Sequence, residues 1–141
     1  MRKLLFIVFC IAMSLIFSVS CQGFEFKNPP IVDNAGYLTQ SEYDEISTLL
    51  EEFRLQNDFD LVIYTENKMS GASAQSTADD IFDYMGYGAS DESGMILYIC
   101  ADTREYHFST FKKGTEYFND NRLRRLDEQV LPHLSEGDYY G

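Results

Sequence analysis

From Tyr43 to Phe53 the apolar residues Tyr43, Ile46, Leu49, Leu50 and Phe53 recur three and four apart, with Glu and Asp between them. That spacing predicts an amphipathic helix over about residues 40–56. Thr39-x-x-Glu42 forms a capping box at its start, and Leu38 is placed to staple against Tyr43. The period then changes. Phe59 to Thr65 is β-branched and aromatic and reads as a strand. Ser70 to Ser73 is a loop. Ala78, Ile81, Phe82 and Met85 return to helical spacing within residues 74–85, and Gly86-Tyr87-Gly88 stops that helix. The unbroken apolar run Met95 to Ala101 reads as a strand buried on both faces. Asp102 to Glu105 is a turn. Tyr106 to Phe111 alternates as a further strand, making residues 95–111 a hairpin. Leu123, Leu126, Val130, Leu131 and Leu134 mark a last helix over about residues 120–134. Ahead of all these, Ile31 to Gly36 is a short strand-like stretch ending in a turn.

Strand, helix, strand implies a right-handed parallel crossover. The hairpin adds an antiparallel strand. The predicted fold is therefore α/β: a three-layer α/β/α sandwich with a small mixed sheet and about three helices. A chain of 141 residues holds one such core.

The first twenty-one residues stand apart. Arg2 and Lys3 precede the apolar run Leu4 to Phe17, which only Ser14 interrupts. A run this short reads as a secretory signal, not a full membrane span. Ser18 and Ser20 suit cleavage, and Cys21 directly after Ser20 suits lipidation. Ser18 stands where a lipobox usually carries an aliphatic residue. Residues 1–21 are thus expected to be a signal peptide, residues 22–30 a linker that Pro29-Pro30 keeps extended, and residues 31–141 the domain. The expected location is extracytoplasmic, in the cell envelope, tethered through the N-terminus or secreted. Cys10 leaves with the signal. Cys100 lies in the apolar strand and reads as a small buried hydrophobe. No disulfide framework or C-x-x-C motif is present.

Acidic residues number 23 against 11 basic ones, for a formal charge of −12. Nucleic acid is excluded as a partner, because neutralising phosphates takes clustered Lys and Arg. Cations, basic proteins or no particular partner fit better.

The catalytic motifs are missing from the sequence: no phosphate-cradling glycine loop, no nucleophile elbow, no H-E-x-x-H. His107 on the third strand and His133 at the end of the last helix read as surface positions. Asp58-x-Asp60-x-Val62 matches the pattern of aspartate-nucleophile phosphatases. In those the motif ends a strand, however, and here it begins one. Asp58 reads as a turn residue and Asp60 as a strand residue facing solvent or a partner. What remains is carboxylate-rich: Asp33 and Asn34 in the first turn, Asp79, Asp80 and Asp83 on the second helix, Asp91 and Glu92 before the second strand, and Asp102 after it. Calcium takes six to eight oxygens, and loops at one end of a sheet supply them.

Several stretches together resemble the TPM domain. They are Pro30-Ile31-Val32-Asp33-Asn34-Ala35-Gly36-Tyr37-Leu38-Thr39, the helix Tyr43 to Phe53, Ala78 to Gly88, Ser93 to Tyr98, Asp102-x-Arg104 and Gly137-Asp138-Tyr139. The resemblance covers nearly everything after the signal. It implies an α/β/α sandwich. It also implies an exported, often membrane-tethered module that binds Ca²⁺ or another divalent cation and serves envelope or membrane proteins as an accessory factor, without enzymatic activity. Low-activity, metal-assisted acid phosphatase action is the alternative it carries. The metal candidates it points to are Asp33 and Asn34, Asp91, and Asp102, with Asp79 and Asp83 as looser matches. Asp33 with Asn34 also reads as a turn former. Asp91 and Asp102 lie at opposite ends of one strand, so Asp33 pairs with one or the other. Two departures stand out. The stretch Lys112 to Tyr117 keeps only Gly114 and Glu116 of the family's loop after the third strand. A further helix that the family carries beyond the Gly-Asp-Tyr stretch is not in this sequence.

Overall fold

The structure, a computed structural model, describes residues 28–140. Four strands form one sheet in the order β1-β2-β3-β4. They are β1 (Ile31–Asp33), β2 (Asp60–Glu66), β3 (Gly94–Cys100) and β4 (Glu105–Phe111). The first three run parallel, and β4 returns antiparallel against β3. Helix α1 (Gln40–Asn57) links β1 to β2, and α2 (Ala74–Met85) links β2 to β3. After β4 come a one-turn helix α3 (Lys113–Tyr117) and α4 (Asp120–Glu136). The α/β sandwich stands as expected, with four helices among the described residues in place of about three. The five-residue α3 is too short to impose a period on the sequence.

The caps explain the helix limits. The Thr39 hydroxyl accepts the Glu42 N–H, and the Glu42 carboxylate accepts the Thr39 N–H at 2.7 Å. Gly86 ends α2 in the left-handed region at φ 66°, a conformation glycine adopts without a Cβ clash. The sheet is covered on both sides. Val62, Ile96, Tyr98 and Cys100 face α2 and form a buried cluster with its Ala74, Ala78 and Phe82 and with Tyr87. Ile63, Leu97 and Ile99 face α1 and α4, and neither of those helices has a fully buried residue. The α2 side is thus the tighter of the two layers.

Pro30 is fully buried, the Tyr87 hydroxyl donates to the Pro29 carbonyl at 2.9 Å, and the Asn28 amide donates to the Met85 carbonyl. Residues 1–27, with the signal and Cys21, lie outside the described residues. Among the described residues no helix is long and apolar enough to cross a membrane. Cys100 is free and buried.

Asp60 does not face solvent. It is 1% exposed, its Oδ1 sits 2.7 Å from Arg54 Nε, and its Oδ2 accepts the Gly88 N–H at 2.6 Å. The partner half of the expectation is met. His107, read as a surface position, is half-buried and lines a groove on the face of β4 toward α2.

Candidate functional site at the carboxyl end of the parallel strands

Because β1, β2 and β3 run the same way, their carboxyl ends come out together at Asp33, Glu66 and Cys100. Ligands of open α/β sheets bind at this end. Asp33 anchors the rim. Its Oδ1 accepts the Thr65 hydroxyl at 2.6 Å and its Oδ2 the Leu38 N–H at 2.9 Å. The Thr65 hydroxyl in turn accepts the Ala35 N–H at 3.1 Å. Burial works to raise the Asp33 pKa, but the Thr65 hydroxyl and the N–H groups of Leu38, Tyr37 and Gly36 outweigh it and hold the carboxyl below its ordinary value.

The rim continues as a thread of hydrogen bonds. The Asn34 N–H donates to the Thr65 carbonyl at 3.1 Å, and the Asn67 amide to the Asn34 carbonyl at 3.1 Å. The Asp102 N–H donates to the Asn67 carbonyl at 3.0 Å. Asp33, Asn34 and Asp102 therefore share one end. The Glu66 carboxylate, which the sequence reading passed over, accepts the Tyr98 hydroxyl at 2.6 Å and the Ser70 N–H at 3.2 Å. Burial, with that bond, raises the Tyr98 pKa above its ordinary value.

Asp91 lies at the opposite end, before β3. Its Oδ2 is 2.5 Å from Lys113 Nζ and its Oδ1 accepts the Ser93 N–H at 3.2 Å. The Lys113 contact, followed by Ser93, pulls its pKa down to about 2. The register thus decides the pairing that sequence left open: Asp102, not Asp91, is on the side of Asp33. Asp79 and Asp83 face a third region, beside β4. Among the described residues, no three His, Cys, Asp or Glu side chains form a group able to hold a metal ion.

Behind the rim, a cavity of about 270 Å³ opens between the sheet and helices α1 and α4. Ile63, Leu97, Ile99, Val130 and Leu134 line it. Tyr37 and Tyr139 stack across its mouth, with ring centroids 3.7 Å apart and planes within 8°. Burial, then contact with Tyr139, pushes the Tyr37 phenol up to about 12. His133 stands beside this mouth, its Nδ1 3.3 Å from Asp138 Oδ2. The two tyrosines were not singled out as site residues. Their only sequence signal was their place in the D-N-A-G-Y and G-D-Y stretches.

The comparisons agree with this architecture. The chain is 26% identical over 110 residues to the UPF0603 protein YdjH of Bacillus subtilis (strain 168), across 78% of this chain and 42% of that protein. It thus spans less than half the length of that curated relative. The solution NMR structure of the N-terminal domain of a protein from P. gingivalis is similar in fold, with a TM-score of 0.66 at 22% identity, covering 81% of this chain and 74% of that one. The family model described as the TPM domain matches residues 31–141, and the chain belongs to that family.

Proposed function

We propose that this TPM domain is a non-enzymatic interaction module of the cell envelope, exported through residues 1–21 and working at the carboxyl end of its parallel strands. One observation carries the reading. The carboxylate that stands at the centre of that rim, Asp33, is engaged at both oxygens by Thr65 and Leu38 and is held ionised. A general base needs a pKa near the operating pH and free access to a proton. Asp33 is instead built to hold the D-N-A-G turn in one shape beside the Tyr37–Tyr139 mouth, the property of a recognition surface. The signal-like sequence of residues 1–21 supports the envelope location and a tether there.

A divalent cation, Ca²⁺ foremost, is the ligand to test at this rim. Asp33, Asn34 and Asp102 are the residues for it. They offer two carboxylates, one of them already engaged, so carbonyl and water oxygens would complete the shell. Asp91 has no part in it. Calorimetric titration of Ca²⁺ into the full chain, beside Asp33→Asn, Asp102→Asn and Asp91→Asn, tests this. The expected result is saturable binding that Asp102→Asn weakens and Asp91→Asn leaves intact. Binding insensitive to Asp102, or none at millimolar Ca²⁺, removes the cation from the reading. Turnover of p-nitrophenyl phosphate that disappears in Asp33→Ala or Asp102→Ala would replace the reading with a phosphatase.

A further inference from the structure

The groove between α2 and the outer edge of β4 carries a second site. Among the described residues β4 pairs only with β3, so its other edge is open. His107 and Ser109 pair with Tyr98 and Ile96 and so share the face that looks toward α2. Gln75, Asp79 and Asp83 come four residues apart along α2 and form one row. These residues and Thr110 line a groove of about 410 Å³.

Two features of this groove are unexplained by the fold. Ser109 is 5% exposed, and its Oγ is the one buried side-chain nitrogen or oxygen among the described residues that has no hydrogen-bond partner. Buried polar groups are nearly always paired, because leaving one unpaired forfeits its full desolvation cost. Second, the side chains of Asp79, Asp83 and His107 make no hydrogen bond or ion pair among the described residues. No Lys or Arg lines the groove. An anion is therefore repelled. Asp79, Asp83 and His107 all line the groove, but among the described residues they do not come together as a group able to hold a metal ion.

We propose that this groove binds an alkylammonium ion, with Asp79 and Asp83 accepting two of its N–H groups and Ser109 Oγ the third. A primary ammonium has three donors and no acceptor. Two carboxylates and one hydroxyl oxygen match that count, and the ligand would satisfy the buried hydroxyl that the fold leaves unmet. The ion can come from a free amine or from a lysine side chain. A lysine within an extended peptide would also meet the unpaired N–H and C=O groups of the β4 edge, as strands added to a sheet edge do. This site is separate from the rim of the proposed function and does not rest on it.

NMR titration of the full chain in zwitterionic micelles tests it, with butylamine and with a capped extended pentapeptide bearing one central lysine. The expected result is saturable shifts at Asp79, Asp83 and Ser109 that fall off with added salt. Asp79→Asn and Asp83→Asn should each weaken binding roughly tenfold, the worth of one charge-assisted hydrogen bond. Ser109→Ala separates ligand binding from folding: it should weaken the amine while raising the melting temperature, since it deletes an unpaired buried hydroxyl. A pentapeptide that binds at least tenfold more tightly than butylamine assigns the lysine side chain; equal affinities assign a free amine. Absence of saturation by both probes, or binding unchanged in the Asp79→Asn, Asp83→Asn double variant, overturns the proposal.

Discussion

Replacing Arg54 with Met removes one half of an ion pair and leaves the other half buried. Asp60 is 1% exposed, and Arg54 Nε lies 2.7 Å from its Oδ1. That carboxylate also accepts the Gly88 N–H, 2.6 Å from Oδ2. Met retains most of the arginine stem, so the change isolates the charge. Two unit charges about 4 Å apart at an effective dielectric near 20 attract by about 4 kcal/mol. Removing one partner of a buried pair typically costs about 3–5 kcal/mol, because the survivor stays desolvated. The two figures agree. Set against a total stability of about 5–15 kcal/mol, the loss is large. The melting temperature should fall by roughly 10–25 °C.

The pH dependence has a definite sign. Burial raises the Asp60 pKa above its ordinary 3.8, and Arg54 opposes that rise. Without Arg54 the pKa climbs further. A carboxyl that titrates higher folded than unfolded binds more protons in the fold, so stability grows as pH falls through the raised value toward the ordinary one. The deficit of Arg54→Met should therefore be greatest at neutral pH and shrink on mild acidification. Thermal melts of the parent, Arg54→Met and Arg54→Lys at about pH 7 and about pH 5 read this out. Lys keeps the charge but loses the guanidinium geometry, so it should fall between the other two. A deficit under about 1 kcal/mol, the worth of a solvated surface pair, or one that ignores pH, would refute the reasoning.

Two further substitutions probe the site and its frame. Thr65→Val takes the hydroxyl from both Asp33 and the Ala35 N–H and should cost about 1–3 kcal/mol in denaturant unfolding. Asp33 titrates below its ordinary value in the fold, so its contribution is present above the unfolded pKa and lost as pH falls through the folded one; carboxyl NMR titration should show that pKa moving up in Thr65→Val, and an unmoved pKa would deny Thr65 its role. Gly114→Ala would drive a Cβ into the Gly94 carbonyl at the start of β3, where backbone has no room to yield. That should cost about 1–3 kcal/mol by chemical denaturation, and a variant as stable as the parent would mean α3 docks less closely than described.

Where the sequence was legible, several local signals agreed. Helix α2 runs over the residues its spacing predicted, because Ser73 caps one end, Gly86 the other, and the apolar row between them meets one sheet face. Helix α1 announced itself through the Thr39–Glu42 box. What the sequence left open was set by surroundings that local pattern does not carry. Alternation grouped His107 with its face of β4 but could not say that α2 packs beside that face and leaves the ring half-buried in a groove. Asp60 met its partner across the tight turn at Asp58, which adopts a left-handed φ of 48° and folds the end of α1 back onto β2. The choice between Asp91 and Asp102 depended on strand direction, and only the register of β1, β2 and β3 supplies it.

The same reasoning sorts the acid excess, which composition presents as one undivided quantity. Asp33 and Glu66 receive converging hydrogen-bond donors at the carboxyl end of the strands, and Asp60 is locked to Arg54 at the other. Their negative charge closes loops and strand ends, so neutralising any of them should weaken folding first and binding only as a consequence. Among the described residues Asp79 and Asp83 have no such donors and stand beside an unpaired strand edge and an unsatisfied hydroxyl. Their charges repel each other at i,i+4 and Asp83 sits in the last turn of α2, so the fold draws no support from them. Neutralising them should leave the melting temperature unchanged or slightly raised while weakening ligand. The separation follows from where the donors are, and it makes stability and binding independent readouts for two sets of carboxylates that are chemically identical.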